Sequence, residues 1–218
     1  MKAYLDWAFA KMPAEIAAAF NRRFRPGPIA TVDAVADFVQ TRSAFVAQTA
    51  LFGYLKERMG SSYPRYFEDE TFSASIRQAQ MRVYIACAAD LAVFATAITA
   101  AGAHLAEEEA KHLARHCFGY AIRHSGRELN EEPTIEIEMF RERTDRVIWR
   151  QAAIGENAFS ESPAMLIAAA PVIEQFKRLD EEIVINSIRF RWRDIREQFR
   201  KRFDAIAVLE DFRAKHGD

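Results

Sequence analysis

The feature that most constrains this chain is its last 45 residues, which read as one long amphipathic helix whose charge changes along its length. From about Val172 onward, apolar residues recur at Ile188, Trp192, Ile195, Phe199, Ile206 and Leu209, in steps of four and three with a gap at Arg202. That spacing places a narrow seam on one side of a helix, as in a coiled coil or at the edge of a helical bundle. Asp180, Glu181 and Glu182 make the early part acidic, whereas seven basic residues stand against two acidic ones between Arg189 and Arg202. A helix over 172–213, roughly 40 residues at about 1.5 Å each, is on the order of 60 Å long, more than a compact domain of this size needs. Part of it is therefore expected to protrude and meet something else.

The chain has 218 residues, half of them apolar, which suits one domain with a sizeable core. Its formal net charge of −1 supplies no global field toward nucleic acid or an anionic membrane. Attraction of that kind would be local, in the Arg189–Arg202 stretch or at Arg22, Arg23 and Arg25. Two cysteines, Cys87 and Cys117, each in an apolar helical context, make no disulfide framework, so a reducing cytoplasm is the expected compartment. The segment from Met1 to Met12 carries Asp6 inside its apolar stretch and lacks the uninterrupted apolar run of a signal peptide.

Val83 to Ala103 contains one charge, Asp90, and has the length of a membrane-spanning helix. It is built largely of alanine, with the acid near its middle, where a bilayer penalises it. The expectation is a buried central helix and no transmembrane segment. Ala86, Ala89, Val93, Ala97 and Ala100 would let a neighbouring helix come close.

Scarce, clustered glycine and proline punctuate a helical chain. Lys2 to Lys11 and Pro13 to about Phe24 read as two short helices, broken by Pro26-Gly27-Pro28. Thr31 is an N-cap for a helix ending at Gly60, and further helices run from Thr71 or Ser73 to about Gly102 and from Leu105 to about His124. Thr134 to Phe140 alternates like a strand but has no second strand to pair with, so a helix is expected from Pro133 to about Ile154. Gly155 to Pro163 reads as a loop, and Pro171 either starts the final helix or kinks one that begins near Ala164. The fold class is all-α: a single bundle-like domain of about seven helices.

Among chemical motifs, Glu109-x-x-His112-x-x-x-His116 has the best metal-like spacing, since its three side chains share a helix face. There is no second Glu-x-x-His to complete a di-iron site, and a solvated face balanced by Lys111 and Arg115 is the competing reading. Nucleophile elbows, phosphate loops and dinucleotide fingerprints are absent, so no cofactor is expected and the balance leans away from an enzyme. Asp90 is the one acid whose ionisation burial would perturb, unless it is a core acid held by an arginine or the backbone.

Arg189, Arg193, Arg196 and Arg200 share a stripe next to Trp192, Ile195 and Phe199. Such a surface suits a protein partner, with the aromatics as anchors and the arginines as steering groups. It suits a phosphate backbone second. Alternatively the aromatics pack inward and the arginines pair with Asp194, Glu197 and the acidic region 128–142. Tyr63, Tyr66 and Phe67, beside Glu68, Asp69 and Glu70, form a second candidate contact loop. An N-terminal membrane contact through Tyr4, Leu5, Trp7 and Phe9 ranks last, because the polar face there is meagre. The sequence therefore points to a non-enzymatic helical protein that binds another protein, and that self-associates through the Ile188–Leu209 seam.

Overall fold

The computed structural model describes residues 27–60, 68–126, 134–155 and 157–216. Among them the fold is all-α, with eight helices: α1 (Val32–Met59), α2 (Glu70–Ala103), α3 (Glu107–Arg123), α4 (Thr134–Arg146), α5 (Trp149–Ile154), α6 (Glu161–Ala169), α7 (Glu174–Arg202) and α8 (Ala205–His216).

The starts and stops follow local chemistry. The Thr31 hydroxyl accepts the Ala34 amide at 3.2 Å and begins α1, whose last turn carries Lys56 and Arg58 before Gly60. Asp69 accepts the Phe72 amide at 3.1 Å and begins α2, which stops at His104 in a left-handed conformation (φ 54°). At the start of α3 the Glu109 carboxylate turns back to accept the Ala106 amide at 2.9 Å.

The apolar α2 is the axis of the bundle, with α1, α3, α5, α6 and α8 packed around it. Leu91, Phe94 and Ala95 are fully enclosed. By length and composition α2 would also cross a membrane, and 83% of its most apolar window is buried inside the protein. Of the small residues expected to admit a neighbouring helix, Ala86, Ala89 and Val93 instead line a groove. The close approach falls at Gly102, where an added Cβ would lie 2.7 Å from the Ala205 Cβ of α8. The Tyr84 hydroxyl donates to the Ala121 carbonyl at 2.7 Å and ties α2 to α3.

The expected single C-terminal helix over 172–213 is in fact two, and neither half protrudes. Phe203 leaves helical geometry (φ −89°, ψ 128°) and forms an isolated parallel bridge with Ile29. The Ile29 amide donates to the Arg202 carbonyl at 2.7 Å, and the Asp204 amide donates to the Ile29 carbonyl at 3.0 Å. Asp204 then caps α8 by accepting the Ala207 amide at 3.1 Å. The chain reverses here because α8 buries Val208 and Phe212 against the bundle, while Asp211 accepts the Val32 amide at the start of α1 at 2.8 Å. Ile206, assigned to the seam from sequence, consequently faces solvent at 63% exposure.

Two further boundaries differ from expectation. The helix expected from Pro133 to Ile154 breaks at Val147 and Ile148 into α4 and α5. Pro171 neither starts nor kinks a helix but sits in the turn between α6 and α7, and α6 begins inside the expected 155–163 loop. The two helices expected before Pro26 lie outside the described residues.

Candidate functional site

The inward face of α7 carries Asp180, Val184, Ile188, Trp192, Ile195 and Phe199, all buried. Trp192 is 1% exposed; its indole N–H donates to the Ser162 hydroxyl at 2.9 Å and its ring packs on Phe159 at 4.6 Å. Phe199 fits among Phe38, Phe94 and Phe203, with ring centroids at 5.2, 5.9 and 4.5 Å. Trp192, Ile195 and Phe199 are therefore packed into the chain's own core, with α1, α2 and α6 as the apolar counter-surface. At the start of the same face, Asp180 is held by Arg58 and accepts the Tyr54 hydroxyl at 3.0 Å.

The arginine stripe divides accordingly. Arg196 is half-buried over the Phe159 ring and against Gly155. Arg200 donates to the Ala153 carbonyl at 3.2 Å and lies over the Phe94 ring. Only Arg189 and Arg193 of the four remain fully outward, Arg193 resting over Phe190 with its guanidinium carbon 4.8 Å from the ring centroid.

Turning α7 outward exposes a second apolar stripe that sequence reasoning missed. Phe176, Leu179, Ile183 and Phe190 are 39, 69, 72 and 58% exposed. Their steps of three, four and seven, with Asn186 filling the gap, repeat a heptad. At 100° per residue these five positions fall within roughly 80° of one another, and roughly 140° round the helix from the buried seam. The acidic Glu182 and the basic Arg189 and Arg193 flank this stripe on one side, all exposed. The signal is present in the sequence, but one stripe already accounts for an amphipathic helix, and none of these four residues belongs to it.

A second candidate is a groove of about 1500 Å³ between α2, α4, α5 and α6. Its apolar lining includes Ile85, Val93, Phe118, Phe140, Val147 and Met165, with Ile135, Met139 and Ile148 exposed at its mouth. Asp90 lies beneath it, fully buried. The Asp90 carboxylate accepts from Arg143 Nη2 at 2.8 Å and from the Ser162 and Glu161 amides at 2.8 and 3.3 Å. Arg143 also lies 3.1 Å from the Glu161 carboxylate and donates to the Ala158 carbonyl at 3.0 Å. Burial raises the Asp90 carboxyl above its ordinary range, while the Arg143 charge and the Ser162 hydroxyl and amide pull it down. Asp90 is thus a core acid held by an arginine and the backbone. With Trp192 bonded to Ser162, this network joins α2, α4, α6 and α7.

The Glu109, His112 and His116 face does not assemble a metal centre. Both Glu109 oxygens are taken by Arg213, at 2.9 and 3.1 Å. The His112 and His116 rings lie 4.8 and 5.6 Å from the His216 ring, and His112 packs edge-on against Phe212. Burial, and then the neighbouring His216, lower both histidines below their ordinary range. Among the described residues no three His, Cys, Asp or Glu side chains are placed to hold a metal ion. Cys87 and Cys117 are buried and unpaired; burial pushes Cys117 up to about 12 and Cys87 well above its ordinary value. The Tyr63, Tyr66 and Phe67 loop and the N-terminal Tyr4, Leu5, Trp7 and Phe9 lie outside the described residues. No protein-family model, no curated protein and no solved structure matches this chain.

Proposed function

We propose that this chain is a non-enzymatic helical protein that acts by binding another protein, and that its binding surface is the outward face of α7. The observation that supports this is the second heptad stripe, whose Leu179, Ile183 and Phe190 stand largely in water, with Phe176 at its end under Arg58, on a helix whose other side is already satisfied. Scattered exposed apolar residues are ordinary, but a continuous stripe flanked by charge of both signs is what a partner helix seeks. The anchors are therefore Leu179, Ile183 and Phe190 rather than Trp192, Ile195 and Phe199, and Arg189 and Arg193 keep their steering role. Two buried, unpaired cysteines suit a reducing compartment such as the cytoplasm.

A photo-crosslinking amino acid at position 183, with Glu210 on α8 as the control position, tests this in living cells. A discrete adduct at 183, lost on Leu179→Glu, is the expected result. Identical patterns at 183 and 210 would remove the reading.

A second reading, binding of an apolar small molecule, is favoured by the groove above Asp90, whose volume exceeds the few hundred to 1,000 Å³ usual for ligand pockets. Native mass spectrometry of the purified protein decides it: a bound species released on unfolding and lost in Val93→Trp supports it, and an unliganded mass excludes it. Nucleic-acid binding ranks below both, because tracking a phosphate backbone needs several free cations in line and Arg196 and Arg200 are turned onto the protein's own surface.

A further inference from the structure

We infer that the partner on the outward face of α7 is a second copy of this chain, laid antiparallel about a twofold axis that crosses the helix near Val184 and Ile185. This deepens the protein-binding reading and rests on it. Three observations carry the choice of partner.

The first is charge. Along the outward flank α7 runs from Glu182 to Arg189 and Arg193, one sign followed by the other. A twofold axis reverses that order in the facing helix, so Glu182 meets Arg189 of the second copy, and the pair occurs twice. A parallel arrangement would instead set the basic stretch from Arg189 to Arg202 against itself, where like charges disfavour the pairing.

The second is register. In an antiparallel helix pair the a-type and d-type positions of the two helices share layers. Centring the axis as stated places Leu179 against Phe190 of the second copy, and Ile183 against Asn186 of the second copy. Phe176, whose ring already carries its own chain's Arg58 at 4.9 Å, then shares a layer with Arg193 of the second copy at the end of the stripe. Leu179 and Phe190 thus find apolar partners in each other, whereas Ile183 meets the polar Asn186. The single polar position, Asn186, lies near the centre of the stripe, where such a residue lowers affinity and fixes register and orientation.

The third is extent. The four apolar side chains leave roughly 500 Å² of apolar surface per chain in water, at the upper end for the largest patch on a monomer. With Glu182, Asn186, Arg189 and Arg193 added around them, the face approaches the roughly 800 Å² per partner of a standard interface. A face of that size and symmetry suits an isologous contact, in which one patch serves both subunits.

The native thiols are buried and held protonated, so introduced cysteines report cleanly on the interface. Full-length Leu179→Cys and Phe190→Cys are prepared separately, mixed at equal amounts, allowed to exchange and mildly oxidised. In the antiparallel dimer position 179 is offset from its own symmetry copy by about 16 Å along the helix, beyond disulfide reach. Neither variant is therefore expected to crosslink alone, whereas the mixture forms a disulfide dimer of 179 with 190. Sedimentation is expected to give twice the mass of one chain, and Ile183→Glu is expected to return it to one chain with unchanged helicity. Equal crosslinking of either variant alone establishes a parallel pair and overturns the geometry. A wild-type monomer that still gives the adduct at position 183 to a different protein leaves the protein-binding reading standing and overturns the second copy. A monomer without any face-specific adduct ends both.

Discussion

Replacing Arg143 with methionine is expected to remove about 3–5 kcal/mol of folding stability, because it leaves the Asp90 carboxylate buried without its counter-charge. The magnitude follows from the geometry. Asp90 is fully enclosed, and Arg143 Nη2 lies 2.8 Å from its Oδ1. Two unit charges about 4 Å apart attract by about 4 kcal/mol at an effective dielectric constant near 20. The Ser162 and Glu161 amides remain and soften the loss, but they carry no full charge. Against a total stability of about 5–15 kcal/mol this is a large fraction. Urea unfolding followed by far-ultraviolet circular dichroism measures it. Asp90→Asn keeps one acceptor oxygen, enough for the Ser162 amide but not also for the Glu161 amide, which uses the other oxygen. It is expected to cost less than the Arg143 change, about 1–3 kcal/mol, with Arg143 still paired to Glu161. The double variant should cost clearly less than the sum, since each change removes the other's partner. The pH dependence has a definite sign. Burial raises the Asp90 carboxyl and Arg143 opposes the rise, so without Arg143 the folded-state value lies further above the unfolded value of about 3.9. The folded variant then binds more protons than the unfolded chain, and its deficit shrinks as pH falls from about 8 to about 5. An Arg143→Met deficit under about 1 kcal/mol, unchanged with pH, would refute the argument that this ion pair holds α2 to α4.

The two faces of α7 should respond oppositely to truncation. Trp192→Ala is expected to cost about 3–5 kcal/mol, and Ile183→Ala less than about 0.5 kcal/mol at concentrations where the chain is monomeric; equal costs in urea unfolding would contradict the burial pattern. His112 and His116 are lowered by burial and by His216, with Arg115, Arg123 and Asp33 also facing them. Their folded values lie below the unfolded value of about 6.5, so the melting temperature should be highest above that pH and drop as pH falls through it. A His116→Gln variant should show a shallower drop, and a profile identical to wild type would remove His116 from this role. Gly102→Ala would place a Cβ 2.7 Å from the Ala205 Cβ and is expected to cost about 1–3 kcal/mol by forcing α8 off α2; a neutral result in thermal unfolding would show that the two helices are free to separate.

Much of the fold was legible in the sequence because local signals agreed with the tertiary outcome. Thr31 caps α1 as its residue type suggests, the alanine-rich α2 is the buried axis, and the 134–140 alternation resolves to helix for want of a strand partner. The break at Phe203 was less visible. Its trace was the missing apolar residue at Arg202 followed by Asp204, a good N-cap, but only the bridge to Ile29, 174 positions earlier, explains why the helix ends there. Asp90 stands out in the sequence as the single charge inside an apolar helix, whereas its partner Arg143 stands 53 residues away and no local pattern names it. The Glu109, His112 and His116 spacing was real on the helix, yet Arg213 and His216 of α8 decide what those side chains touch.

What the sequence by itself determined is helix, its periodicity and its caps, because these depend on neighbours within about one turn. It also determined that α7 is amphipathic. It could not determine which stripe of α7 would be satisfied internally. Ile188, Trp192, Ile195 and Phe199 on one side, and Phe176, Leu179, Ile183 and Phe190 on the other, carry similar apolar patterns. Only the placement of α1, α2 and α6 buried the first set and left the second in water. Burial is a property of what other segments bring to a face, and periodicity along one helix does not encode it.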